Sequence, residues 1–339
     1  MALDRRRFLG LSALTLAAGA LGLRAAARPG AVAPPRGDVR LALISDLNGP
    51  YGSIGYIPEV HRGIALLPSL RPDLVLCAGD MVAGQKPGLG RARLAAMWAG
   101  FERDVLGPVR AAGLPLAVTM GNHDASGALS GGRHVFADDR AEAGRFWGQR
   151  RDALSLAFVD AGGFPFHYAL LQNDVFLLVW DASTATVPQT QLLWAERMLA
   201  SPAARAARRR LVMGHLPLRA VGRGRDNGGD VLARPDALQA LMERHDVEAY
   251  VSGHHHAWFP GRIGSLDLYH LGAMGSGPRR LLGSSEAPFQ TLTVLDLFHA
   301  AGRTVATTLD LRTLTPVDPG RLPRRITDRT GRSVPLRPA

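Results

Sequence analysis

The chain has 339 residues, 46% of them hydrophobic, enough to bury a sizeable core and more in keeping with one large α/β domain than with two. Its formal charge of +11 is carried almost wholly by arginine interspersed with acids; the surplus reflects base composition or attracts anions, and no nucleic-acid recognition motif accompanies it. The single cysteine, Cys77, excludes an intrachain disulfide, and after residue 23 no apolar run is long enough for a membrane span.

At the N-terminus, Asp4-Arg5-Arg6-Arg7-Phe8-Leu9 opens an uncharged stretch that runs to Leu23, and Ala25-Ala26-Ala27 fits an A-x-A cleavage site. A charged region, an apolar region and small residues in that order make an export signal over residues 1–27, outside the fold. The Arg pair followed by x-Phe-Leu resembles a twin-arginine (Tat) signal, which implies folded delivery by the Tat export machinery to the periplasm or otherwise across the membrane. An ordinary secretory signal, or an uncleaved one that tethers the protein to the membrane, is the alternative.

Residues 28–38 are rich in Pro and Gly and read as a linker, ahead of a main domain over 39–311. A buried strand is predicted over 39–45, ending at Asp46, then a helix over 58–70 with Pro58 suited to its first turn. A strand over 74–78 ends at Asp80. Over 91–112 the spacing sets Leu94, Trp98, Phe101, Val105 and Val109 on one helical face. A third strand, 116–120, ends at Asn122. Residues 125–165, with many glycines and weak periodicity, read as a cap inserted over the strand ends or as a long surface loop. There follow a strand over 175–180, a helix over 190–200, a strand over 211–213 leading into His215, a helix over 235–245 and a strand over 249–252 leading into His254. Strands over 266–271, 290–297 and 304–311 are expected to be antiparallel, and the Arg- and Pro-rich tail, 312–339, poorly ordered. Alternating strands and helices argue for an α/β sheet with helices outside and ligands gathered at the strand ends.

Those ends carry five short motifs: Asp46-Leu47-Asn48, Gly79-Asp80, Gly121-Asn122-His123-Asp124, Gly214-His215 and Gly253-His254-His255-His256. Carboxylate, amide oxygen and imidazole suit Mn, Fe, Zn and related divalent ions. Two such ions about 3.5–4 Å apart activate water and clamp a phosphoryl group. Glycine before a ligand lets the chain turn sharply at a strand end.

In type and order the motifs resemble the calcineurin-like metallophosphoesterase family, whose pattern is D-x-H, G-D, G-N-H-D/E, G-H and G-H-x-H. The resemblance covers roughly residues 39–256 and implies a four-layer α/β/β/α metallophosphoesterase sandwich with two divalent metal ions. It implies that Asp46, Asp80 and His256 hold the first metal, and that Asp80, as the anionic bridge, holds the second with Asn122, His215 and His254. His123 would protonate the leaving oxygen or stabilise the transition state, with Asp124 orienting its ring. One residue departs from the pattern: the family's histidine in D-x-H is Asn48 here. Either its neutral amide oxygen ligates the first metal, shifting preference toward harder ions such as Mn, or it contacts water or substrate. Arg223 and Arg225, beside a turn over 226–229, are candidates to touch a phosphate. His255 should point away from the metals.

The implied activity is metal-dependent hydrolysis of phosphate mono- or diesters by a metal-activated water, with a small-molecule phosphate ester as substrate. The alternative is an exported metal-binding protein of the same fold without catalysis. The presence of His123 and Asp124 favours the hydrolase, since binding alone does not need them.

Overall fold

The computed structural model describes residues 34–338. The export signal read over 1–27 and most of the 28–38 linker lie outside the described residues.

Two sheets carry the fold. The first has six strands in the order Thr315–Pro316, Arg303–Asp310, Thr291–Phe298, Val39–Ile44, Leu74–Cys77, Leu116–Val118. Its last three run parallel, and the others join antiparallel. The second has seven in the order Phe259–Ile263, Leu266–His270, Ala249–Ser252, Arg209–Met213, Val175–Val179, His167–Gln172, Phe158–Gly163. The strands from Leu266–His270 to Val175–Val179 are mutually parallel.

The strands that lead into the motifs are unbroken apolar runs because both their faces are buried. In Val39–Ile44, residues Val39, Leu41 and Leu43 pack between the sheets against Leu177, Leu211, Met213 and Val251, while Ala42 and Ile44 turn toward helices. Those helices are Pro58–Leu70, Arg91–Phe101 and Ala137–Gly148, which also bury Cys77. On the far side of the second sheet, Gln189–Leu199, Pro202–Ala206 and Pro235–Arg244 cover Phe176, Leu178, Val212 and Tyr250. The layering is α/β/β/α.

Four regions differ from expectation. The helix over 91–112 is not continuous: Arg91–Phe101 passes through a π-turn, Glu102–Leu106, into Gly107–Ala111. Pro108 cannot donate the bond that a continuing α-helix needs, and the bulge keeps Val105 and Val109 in the same core as Leu94, Trp98 and Phe101. Residues 125–165 are not a plain loop. They hold the helix Ala137–Gly148, whose Phe146 stacks on Trp98 at 4.7 Å between centroids, and the edge strand Phe158–Gly163. Two large aromatics, Phe146 and Trp147, bury that helix, too few to show a period. The tail is ordered: Arg325–Thr327 and Ser333–Pro335 form a hairpin that buries Ile326 and Val334 in the core outside the second sheet. Leu266–His270 is antiparallel to Phe259–Ile263 but parallel to Ala249–Ser252.

Candidate metal centre

Every motif sits just past the end of a strand, and backbone bonds lace these ends together. The Asp46 amide donates to the Gly79 carbonyl (2.9 Å), the amides of Leu47 and Asn48 to the Asp80 carbonyl (2.8 and 3.1 Å), and the Gly253 amide to the His215 carbonyl (3.0 Å). The sharp turns fall on the polar residues themselves: Asp46, Asp80, His254 and His256 have φ of 52°, 54°, 66° and 53°. Non-glycine residues adopt that left-handed backbone at a cost and concentrate at functional sites. The glycines before them are mostly needed for room. A Cβ on Gly121 would collide with the Asp80 carboxylate, and one on Gly253 with Ser45 and Asp46. Of the four motif glycines, Gly79 alone has positive φ (93°).

The fold brings the ligand atoms of Asp80, His215 and His254 within 4.8 Å of one another, and likewise those of Asp46, Asp80 and His256. Asp80 belongs to both groups, and all but His256 are buried. Ring orientations follow from neighbouring carbonyls. His215 Nδ1 lies 2.7 Å from the Ala78 carbonyl oxygen, which can only accept, so Nδ1 carries the hydrogen. Its Nε2 then aims a lone pair at Asn122 Oδ1 (3.0 Å) and Asp80 Oδ2 (3.3 Å). His256 repeats the arrangement, with Nδ1 donating to the Gly277 carbonyl (2.9 Å) and Nε2 facing Asp46 Oδ1 (3.2 Å). His254 is turned the other way: Nδ1 meets Asn122 Oδ1 at 2.8 Å, and Nε2 faces Asp230 Oδ1 at 3.4 Å. Acceptor faces acceptor throughout, which only an intervening proton or cation makes favourable. Asn48 Oδ1 is buried without a hydrogen-bond partner, one more oxygen suited to a cation. The donor set therefore fits divalent metal.

The electrostatics agree. Burial alone would raise the pKa of Asp46 and Asp80, but His256 beside Asp46, and His215 and His123 beside Asp80, more than offset it and hold both carboxyls below the usual range. Burial alone would lower His215, but Asp80 outweighs it and pushes that imidazole up to about 9. Burial takes His254 down to about 4, which favours its neutral, ligating form.

Around this cluster the structure revises one expected role. His123 Nδ1 is held by the Gly84 carbonyl (3.2 Å), which leaves Nε2 toward the cluster, 3.9 Å from Asp80 Oδ2. Asp124 does not orient that ring. Its carboxylate accepts the backbone amides of Met81 (2.7 Å), Val82 (2.9 Å) and Gly121 (2.9 Å), tying the loop after Asp80 to the loop before His123. Burial and the nearby Asp80 carboxylate push its pKa up to about 7, against the pull of these amides. Arg225 Nη1 donates to Asp230 Oδ1 (2.8 Å), the carboxylate that faces His254, and Arg223 Nη2 to the Ser284 carbonyl (3.2 Å).

Two neighbours carry no sequence signal. Asn122 Nδ2 donates to Gln85 Oε1 (2.6 Å), so that Oδ1 is the atom turned to the imidazoles. Gln85 is itself held by its backbone amide, which donates to Asp139 Oδ1 (2.9 Å). Asp230, just past the predicted turn, faces His254; that imidazole and Arg225 keep its carboxyl below the usual range despite burial. His255 points away from the cluster, as expected. Its Nδ1 accepts the amides of Val221 (3.2 Å) and Gly222 (3.3 Å) and its Nε2 donates to the Asp230 carbonyl (2.9 Å).

Carboxylates, an amide and imidazoles thus converge at the strand ends of a four-layer sandwich. Residues 39–258 match the model of the calcineurin-like phosphoesterases, and the chain belongs to that family, which generally uses a dinuclear divalent metal centre. No curated protein matches the chain. Among solved structures it is similar to a purple acid phosphatase from yellow lupin (Lupinus luteus) seeds, with 14% identity and a TM-score of 0.59, over 83% of this chain and 52% of that one. The chain thus spans about half the length of that relative. It is similar also to a dimetal phosphatase from Danio rerio (12% identity, TM-score 0.53, 80% and 95% of the two chains). A third is GAP50, the anchor in the inner membrane complex of Plasmodium (15%, 0.50, 81% and 85%). At such identities the likeness is one of fold.

Proposed function

We propose that the protein hydrolyses phosphate mono- or diesters of small molecules. The observation that carries this reading is the set of imidazole lone pairs aimed at Asp46, Asp80 and Asn122. In this proposal Asp46, Asp80, His256 and Asn48 would hold one divalent ion, and Asp80, Asn122, His215 and His254 the other. Bound there, the ions would supply a nucleophilic hydroxide and neutralise charge on the phosphoryl oxygens. Asn48, in place of a histidine, makes the first position mostly oxygen-lined, which favours Mn there over Zn or Fe. His123, its Nδ1 occupied by Gly84, would deliver a proton from Nε2 to the departing ester oxygen. Asp124 would act through the backbone, holding the loops that carry Asp80 and His123 at a fixed separation.

The test pairs metal removal with a variant that spares the ligands. Chelation should abolish hydrolysis of an aryl monoester and diester panel, and Mn should restore it. His123→Ala should keep its metals and lose about a hundred- to ten-thousandfold in kcat. Full activity in rigorously metal-free protein would refute the proposal. We also propose that Arg5-Arg6 and Phe8-Leu9 direct Tat export to the periplasm. Replacing Arg5 and Arg6 by Lys should leave the protein in the cytoplasm, and unchanged export would refute the Tat route.

A further inference from the structure

His123 does not stand alone at the rim of the site. The Tyr51 ring lies 5.1 Å from it, centroid to centroid, tilted by 41°. Tyr51 is 56% exposed although its ring abuts the half-buried His123. Its loop is fixed. The Gly52 amide donates to the Ala83 carbonyl (2.7 Å), the Ser53 amide closes a turn on the Pro50 carbonyl (2.9 Å), and Arg93 Nε donates to the Gly52 carbonyl (2.6 Å). A rigid loop thus presents an aromatic ring beside the imidazole whose Nε2 lies 3.9 Å from Asp80 Oδ2, and nothing in the fold's own packing requires that exposure.

We infer that Tyr51 is a specificity-determining residue that stacks against a planar aromatic group on the alcohol released by hydrolysis. The inference rests on the proposed hydrolase activity. In that reaction the oxygen of water bonds to phosphorus and the bond from phosphorus to the ester oxygen breaks. The ester oxygen keeps the electron pair and takes a proton from His123 Nε2, and the water gives up a proton to solvent, which reprotonates His123. The departing group leaves beside His123, within reach of the Tyr51 ring 5.1 Å from that imidazole. Offset or edge-on aromatic contact adds binding beyond the area covered, which an alkyl group does not gain. The protein should accordingly prefer esters of aromatic alcohols to esters of alkyl alcohols of similar acidity.

The experiment compares benzyl and propyl phosphate, each as monoester and as methyl diester, on metal-loaded wild type, Tyr51→Phe and Tyr51→Ala. Calorimetry with the non-hydrolysable benzylphosphonate and propylphosphonate gives binding independently of turnover. Tyr51→Ala should lower the benzyl-to-propyl ratio of kcat/KM about threefold to tenfold and weaken benzylphosphonate relative to propylphosphonate by the same factor. Tyr51→Phe, which keeps the ring, should retain both preferences. Unchanged ratios in Tyr51→Ala would overturn the role of Tyr51 and leave the hydrolase reading standing. If wild type cleaves none of the esters, that reading fails, and the phosphonate affinities still decide whether Tyr51 binds aromatic groups.

Discussion

Gln85→Leu should weaken the second metal position and spare the first. Asn122 presents Oδ1 to His215 (3.0 Å) and His254 (2.8 Å), with Nδ2 anchored on Gln85 Oε1 at 2.6 Å. Without that anchor the amide can turn its NH2 toward the metal, where it cannot ligate. A hydrogen bond of this kind is worth about 0.5–1.5 kcal/mol net, or about twofold to tenfold in affinity. Losses of groups that orient a ligand run to about 10–100-fold. Gln85 is half-buried, so water takes over part of its role, and about tenfold is the expected loss. Gln85→Glu keeps an acceptor and cannot donate, so it should bind metal at least as tightly as wild type. Both variants and wild type would be stripped with chelator, checked for folding by circular dichroism, and titrated with Mn and Zn by calorimetry, which resolves the two positions as separate steps. Equal affinities of Gln85→Leu and wild type at both steps would show that Gln85 does not set the orientation of a ligating Asn122.

Asp80→Ala removes the carboxylate common to both groups and should leave less than one metal per chain by elemental analysis; two retained metals would mean that Asp80 is not shared. Asn48→His should raise the Zn-to-Mn affinity ratio at the first position, since a nitrogen donor replaces a neutral amide oxygen; an unchanged ratio would remove residue 48 from the ligand set. In protein stripped of metal, His215, raised to about 9, holds a proton at neutral pH that a metal must displace. Apparent affinity at the second position should therefore climb about tenfold per pH unit and level off above about pH 9, and a flat profile would contradict this. The same shift gives the sign for stability of the stripped fold: the contribution of His215 is complete below its ordinary value of 6.5 and is lost as pH rises through about 9.

The layered fold and most of the cluster were legible because they rest on local patterns. Unbroken runs such as Val39–Ile44 mark strands buried on both faces, and short polar motifs at their ends mark the site. What escaped depends on contacts between distant segments. Gln85 matters only because Asn122, 37 residues away, comes to meet it, and no spacing rule foretells that. Asp124 kept its place in the motif but not its expected role, since a carboxylate within reach of three backbone amides is satisfied by them before it reaches an imidazole. Asp230, which folds back onto Arg225 and faces His254, carries no motif of its own. The tail hairpin was illegible for a different reason: strands of three residues with one buried side chain each have no period to read.

That hairpin has a consequence for handling the protein. Phe259–Ile263 is the outermost strand of the second sheet, and such an edge can recruit a strand from another molecule. Here the C-terminal segment occupies it: Gly261 bridges to Leu336, and the Arg337 amide donates to the Pro260 carbonyl (2.9 Å). Arg337 Nε is also paired with Asp267 Oδ2 (2.5 Å) on the next strand. The last residues thus serve as a guard against intermolecular sheet growth. A purification tag or truncation at these residues would uncover that edge and disturb solubility.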